Sequence, residues 1–221
     1  MGIQVDMRVA ELLCSRLCHD LIGPVGSVNQ GIELLGEGAG PMMAEATEMV
    51  GQSAQQAGDR LEFFRVAFGL SGGGSGQISM AEGRKLARGF MKHDVKLNWP
   101  ANPDLPWADA EKRVPKDVIK VILNLVMLGL DCLPRNGTMT VSQAVLPEGL
   151  GVALVAEGPK AHIKDEIHSA ISANANCDSL NARTVQPFFM ARLAEDLGLD
   201  FEIFSPEADC VQLAAIIPLE M

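Results

Sequence analysis

From Val5 to Leu35 the apolar residues Val9, Leu13, Leu17, Leu21, Val25, Val28, Ile32 and Leu35 return every three or four positions. That spacing predicts one long helix with a single apolar stripe. Gly36, Gly38, Gly40 and Pro41 then supply a stop, a short turn and a restart. A second helix is predicted from Met42 to Phe68, with Met43, Ala46, Val50, Ala57, Leu61, Phe64 and Phe68 on its inner face. So short a connection makes the two helices antiparallel neighbours. Two helices cannot enclose a core between them. Either two chains pair their hairpins into a four-helix bundle, or the hairpin folds onto the remainder of its own chain. The expectation is the first, a homodimer built through this segment.

The string SGGGSG, Ser71 to Gly76, predicts a flexible joint and divides the chain into a helical hairpin over 1–70, a linker over 71–76 and a second domain over 77–221. Beyond the joint, helix signals cover Met80–Lys92, Lys116–Leu133 and Phe188–Leu197. Strand signals cover Lys96–Trp99, Thr138–Ala144, Gly151–Ala156, Asp200–Phe204 and Val211–Pro218. The stretch between Ala156 and Arg183 reads as a helical or loop excursion. The expected fold class is α+β, a helical hairpin followed by an α/β sandwich with helices on one side of a sheet.

Composition excludes several functions. A formal net charge of -10, with no Tyr and two Trp, disfavours a nucleic-acid binder, which needs cations for phosphates and rings for bases. No apolar run is long enough to span a bilayer and no secretory leader is present, so the expected location is cytoplasmic, away from membranes. Five cysteines, Cys14, Cys18, Cys132, Cys177 and Cys210, are an odd and scattered set, as free thiols in a reducing compartment would be. Cys14 and Cys18 lie four residues apart beside His19, but nothing nearby completes a metal site, and they read as small core-lining residues.

His93, His162 and His168 read as surface or internally satisfied histidines, and Met42, Met43 and Met49 as packing residues. Lys112, Arg113 and Lys116 read as a solvated basic run, and Glu195 and Asp196 as an exposed helix face.

The remaining histidine sits in LCHDLIGPVGSVNQGIELL, Leu17 to Leu35. On an ideal helix His19 lies about 200° from Leu17, towards solvent, with Ser15, Ile22 and Gly26 on its face. A neutral imidazole is a nucleophile, and a neighbouring carboxylate such as Asp20 can hold one ring N–H and leave the other nitrogen free. Gly23 and Pro24 follow, although an interior Pro costs a helix roughly 3 kcal/mol and Gly about 1 kcal/mol. A close approach by a partner would explain them. On the dipeptide alone, an ordinary surface histidine on a helix that tolerates Pro is the favoured reading.

The longer string HDLIGPVGSV resembles the H-box of sensor histidine kinases, in which His, an acidic residue and an aliphatic residue precede Pro. The resemblance implies that His19 is a phosphoacceptor and that the hairpin is a dimerisation and phosphotransfer bundle. It also implies a second domain resembling the histidine kinase/gyrase-type ATPase fold. There the nucleotide boxes are degenerate. In VILNLVMLGLDCLPRNGTMTV, Asn124 and Leu125 match the start of the N-box, but Leu128 stands where the Mg²⁺-coordinating Asn belongs. In VALVAEGPKA, Gly158 is kept, while Ala156 replaces the adenine-binding Asp and Lys160 the second Gly. NARTVQPFFMARLAEDLGLDFEI keeps the helix after the lid and has no glycine before it. The chain is similar to the ChpT family of alphaproteobacterial histidine phosphotransferases, specifically in helix 1 and architecturally beyond it.

That resemblance implies a phosphorelay protein rather than an ATP-dependent kinase, binding no cofactor of its own. Phosphate would pass from the receiver domain of a hybrid kinase of the CckA type, through His19, to response regulators of the CtrA and CpdR types that govern the cell cycle. Mg²⁺ would come from the receiver's acidic pocket. Asp20 would orient the imidazole, Gly23 and Pro24 would shape the bend, and Ser15, Ile22 and Gly26 would receive the partner. Bifunctional kinases often carry Thr or Asn where Gly23 stands, so little phosphatase activity is expected. An active kinase and a non-catalytic receiver-binding adaptor are the competing readings.

Overall fold

An interior proline deprives its helix of one N–H, and the hairpin is built around that gap. The computed structural model describes residues 6–36, 40–69, 77–91, 94–105, 113–172 and 175–218, so the predicted joint over 71–76 lies outside the described residues. Helix α1 runs unbroken over Met7–Gly36 with Pro24 buried inside it. After a 3₁₀ turn at Gly40–Met42, α2 covers Met43–Ala67. Pro24 cannot donate to the carbonyl four residues back, which belongs to Asp20. The guanidinium of Arg60 on α2 makes that hydrogen bond instead. Gly31 lets the helices close further along, since a Cβ there would fall 2.5 Å from Val50 Cγ2. Asp20 meets Arg60 and Gly31 meets Val50, so the helices are antiparallel.

The predicted stripe is only partly covered: Val9 is buried, Leu13, Leu17, Leu21, Val28 and Leu35 are half-buried, and Val25 and Ile32 are exposed. Pro24 and Gly31 face α2 and are buried, whereas Val25 and Ile32 are 48% and 54% exposed. On α2, Ala46 and Phe64 are buried, but Met43 and Leu61 remain 51% and 56% exposed. Cys14 and Cys18 are exposed rather than core-lining. They fall on the same side of α1 as Val25 and Ile32, turned roughly a quarter-circle from the α2-facing side.

The second part begins with β1 (Gln77–Ser79) and α3 (Met80–Phe90), capped by Ser79 accepting from the Glu82 N–H at 3.1 Å. Then come β2 (Val95–Asn98), β3 (Arg113–Pro115) and α4 (Lys116–Cys132). β4 (Gly137–Leu146), β5 (Gly149–Glu157) and α5 (Asp165–Ile171) follow, then α6 (Val185–Leu197), β6 (Asp200–Phe204) and β7 (Cys210–Ile217). Five strands form one sheet in the order β2-β4-β5-β7-β6, with β2 parallel to β4 and the other pairs antiparallel. Met139 and Val141, Leu150, Val152 and Leu154, and Val211 and Leu213 point from alternate positions into the core. This is the expected α+β class.

Helix α4 is buried on every side from Val118 to Leu130, because the sheet, α2, α3 and α6 all pack on it. Gly129 brings it onto Leu154 and Met139 of the sheet, and Gly83 brings α3 onto Ile119. Its polar residues receive the end of α2. Asn124 Nδ2 donates to the Ala67 carbonyl at 2.9 Å, and Lys120 Nζ donates to that of Gly69 at 3.1 Å.

Two elements depart from the sequence pattern. β1 and β3 pair as a separate two-stranded sheet that three-residue strands ending in Ser and Pro do not announce. Helix α6 begins at Val185 rather than Phe188, because Pro187 occupies its first turn, where a missing N–H costs nothing.

The Pro24 compensation is open to a double-mutant cycle. Arg60→Ala should lower the urea unfolding free energy by about 1–3 kcal/mol, the penalty for a carbonyl left unpaired. In a Pro24→Ala background, where the helix supplies its own N–H, the same change should cost less than half as much. An equal loss in both backgrounds would show that Arg60 is not a substitute for the missing donor.

Candidate functional site

Asp20 and His19 sit where α1 passes the second part of the chain. The His19 side chain is 83% exposed and that of Asp20 24%, with Nδ1 and Oδ1 3.2 Å apart. An ionised carboxylate can only accept, so Nδ1 carries the proton in this pairing. The Nε2 lone pair is then left free on the exposed edge of the ring.

Beside His19 lies a cleft of 440 Å³. α1 contributes Ser15 and Arg16 to it, α2 contributes Arg60, and Met127 and Leu130 of α4 form part of its apolar floor. Its far wall is Lys164, Ile167 and Arg183, from the segment joining β5 to α6. Arg16 fixes the geometry from one turn before His19. Its Nη2 pairs with both oxygens of Asp131 at 3.0 and 3.2 Å, and its Nη1 donates to the Arg183 carbonyl at 3.3 Å. Two turns earlier, Arg8 donates to the carbonyls of Cys177 and Leu180 at 3.0 and 3.1 Å. Val9, Leu12 and Leu13 pack there against Ala170, Leu180, Val185 and Phe188 in a second apolar cluster. The helix that carries His19 is thus fastened along its first three turns.

The sequence-predicted site residues divide between two surfaces. Ser15 lines the cleft with His19 and Asp20. Ile22, 72% exposed, and Gly26 lie further along α1, outside the cleft lining. Nothing lies within 4 Å of where a Cβ would stand on Gly23 or Gly26, so both leave open surface. Pro24 turns the other way. It is buried against α2 and acts on the site through the carbonyl it leaves to Arg60.

Sequence reasoning misses Arg16, Arg60, Asp131, Lys164 and Arg183. One signal exists for Arg60, since an interior Pro obliges some donor to reach the carbonyl four residues back. Nothing in the sequence says that the donor stands forty positions on.

The positions that match nucleotide boxes are filled by packing. Leu128 and Ala156 are fully buried. Asn124 is engaged by the Ala67 carbonyl and by Gln186, whose Nε2 lies 3.2 Å from Asn124 Oδ1. Lys160 adopts a left-handed φ of 63°, held by a 2.7 Å hydrogen bond from its N–H to Asp209 Oδ1. A Cβ on Gly158 would fall 2.5 Å from the Asn136 carbonyl oxygen, so this glycine serves a close backbone approach.

The other expectations fall as follows. Exposed His162 directs Nδ1 at the Lys160 carbonyl, 2.7 Å away, and His168 is also exposed. His93, Lys112 and the Arg113 side chain lie outside the described residues. Burial, with the nearby Asp131 carboxylate, pushes the Cys132 thiol up to about 12. Among the described residues no group of three or more His, Cys, Asp or Glu could hold a metal ion. No helix among them is long and apolar enough to cross a membrane.

The chain resembles known proteins over almost its whole length. Residues 80–209 match the model of the histidine phosphotransferase C-terminal domain family. The protein phosphotransferase ChpT of Brucella abortus (strain 2308) is 30% identical over 205 residues, spanning 93% of this chain and 94% of that protein. A solved bacterial phosphotransferase superposes with a TM-score of 0.78 at 27% identity, covering 97% of this chain and 98% of its own. The histidine kinase domain of the Erythrobacter litoralis EL346 blue-light activated kinase also aligns, with a TM-score of 0.44 at 15% identity over 93% and 96% of the two chains. With the family's domain over more than half of its length and a relative matched nearly end to end, this chain belongs to the histidine phosphotransferase family.

Proposed function

We propose that His19 carries the phosphoryl group in this phosphotransferase, taking it from one receiver aspartate and giving it to another. The observation that bears most weight is the ring itself. Asp20 holds Nδ1, and Nε2 is free on an exposed helix face beside a cleft. Nε2 attacks phosphorus in line with the acyl-phosphate bond. A P–N bond forms, the P–O bond breaks, and the receiver's carboxylate leaves with the electron pair. Asp20 stabilises the cationic ring, and the second transfer reverses these steps onto another carboxylate. Mg²⁺ belongs to the receiver, and this chain contributes the nucleophile and its orientation.

The donor is a hybrid kinase's receiver of the CckA type, and the acceptors are response regulators of the CtrA and CpdR types. Ser15, Ile22 and Gly26 provide their landing surface, with Gly23 adding relief-free backbone. Having no side chain at Gly23 to position a water, the protein transfers phosphate and releases little of it. The working unit is a homodimer paired through the hairpins. The exposed stripe of Cys14, Cys18, Val25 and Ile32 on α1, with Met43 and Leu61 on α2, supports this, because apolar residues so spaced pack into a bundle. The ATPase-like domain binds no nucleotide. Leu128 offers a cation no oxygen, and Asn124 is already committed to α2.

Mixing the protein with a phosphorylated receiver should place acid-labile phosphate on it, and His19→Ala should abolish the label; label persisting in that variant would overturn the assignment. Asp20→Asn should slow transfer by about 10–100-fold, the usual consequence of losing a histidine's orienting partner. Leu128→Asn restores an amide in a buried apolar site. It should lower stability by about 2–4 kcal/mol and give no Mg²⁺-dependent ATP binding by calorimetry. Val25→Glu should convert the dimer to a monomer in sedimentation and raise the maleimide labelling of Cys14 and Cys18 by peptide mapping. Cys132, with its thiol raised to about 12, should stay unlabelled in both forms.

A further inference from the structure

The cleft beside His19 joins residues from both ends of the sequence, and their charges are not evenly committed. Arg16 is paired with Asp131, and Arg60 is bound to the Asp20 carbonyl. The Asp20 carboxylate accepts from His19. Lys164 and Arg183, across the cleft, have no side-chain acceptor among the described residues. Both are nevertheless well anchored by their backbones. The Lys164 carbonyl accepts from the Ile167 N–H at 2.9 Å as α5 begins. The Arg183 N–H donates to Asn181 Oδ1 at 2.8 Å, while its carbonyl receives Arg16. Fixed main chains with uncommitted cationic ends are suited to meeting an anion that arrives. One carboxylate on that wall, Glu166, sets a single negative charge against these two cations.

The anion that arrives at this place is a phosphoryl group. On Nε2 it brings close to two negative charges and three acceptor oxygens to the mouth of the cleft. We infer that Lys164 and Arg183 form an oxyanion site for the phosphoryl group of phosphorylated His19. The inference rests on His19 carrying that group. It gives the second domain a task in the transfer itself, lending two cations to the phosphohistidine, while the Arg16–Asp131 pair ties that domain to the helix that carries His19. Charge-assisted hydrogen bonds from Lys and Arg are the strong ones for phosphate oxygens.

The test uses phosphoramidate, a small phosphoryl donor, so that no receiver takes part. The full-length protein is phosphorylated as wild type, as Lys164→Ala/Arg183→Ala and as the charge-keeping Lys164→Arg/Arg183→Lys. The ³¹P resonance of phosphorylated His19 is then titrated with pH. Nearby cations favour the dianion, so the midpoint should rise by about one pH unit in the alanine variant and return in the charge-keeping one. Thermal melts matched to wild type exclude unfolding as the cause. If His19 takes the label and the midpoint does not move, the oxyanion site is overturned while the transfer reading stands. It is overturned equally if only receiver-dependent transfer falls, because the cations then serve the protein partner. If phosphoramidate and receiver both fail to label His19, the two readings fall together.

Discussion

The position of everything functional in this molecule depends on where α2 ends. Its last carbonyl, from Ala67, is taken up by Asn124 of α4, the most deeply buried helix of the second part, and that of Gly69 just beyond it by Lys120. That junction is polar at its centre and walled by Phe64, Phe68, Phe90 and Phe189, which stack or meet edge to face. It leaves the hairpin little freedom to pivot. α1, held antiparallel to α2, must then lie across α5 and α6, where Arg8, Arg16 and the Val9 cluster fasten it. The cleft beside His19 is the space left between these two attachments.

The same polar groups explain why a buried amide is tolerated in the middle of α4. A buried Asn is costly without partners. Asn124 has them in Ala67, Lys120 and Gln186, so its amide has become part of the joint between the two halves of the chain. Leu128, one turn on, completes the core instead of meeting solvent. Both side chains are used within the packing of α4, one through hydrogen bonds and one through apolar contact.

Much of this is legible in the sequence because it follows from period. The hairpin, α4 and the long central strands carry strong three-to-four or alternating patterns, and the structure places them within a few residues of those limits. Three-residue β1 and β3 are too short to show a period, and Pro187 hides the first turn of α6. The histidine and its acidic neighbour are adjacent in sequence, so their pairing can be read locally. The cations of the cleft cannot. Arg16 meets Asp131 across 115 positions, and Lys164 and Arg183 come together with His19 only through the fold. Periodicity also cannot say which half of an apolar stripe a single chain covers, and for that reason it places Cys14, Cys18, Val25 and Ile32 inside when they stand on the surface.

Pro24 links these levels. At the level of propensity it is an error in the helix, and judged alone it predicts a kink or a break. In the fold it frees one carbonyl, and that carbonyl draws Arg60 from the opposite helix to the backbone beside His19. A helix without proline would have satisfied itself and left Arg60 to solvent. The residue that weakens α1 locally therefore ties α1 to α2 at the turn where the histidine stands. A local loss of helix stability has been exchanged for a fixed charge at one point.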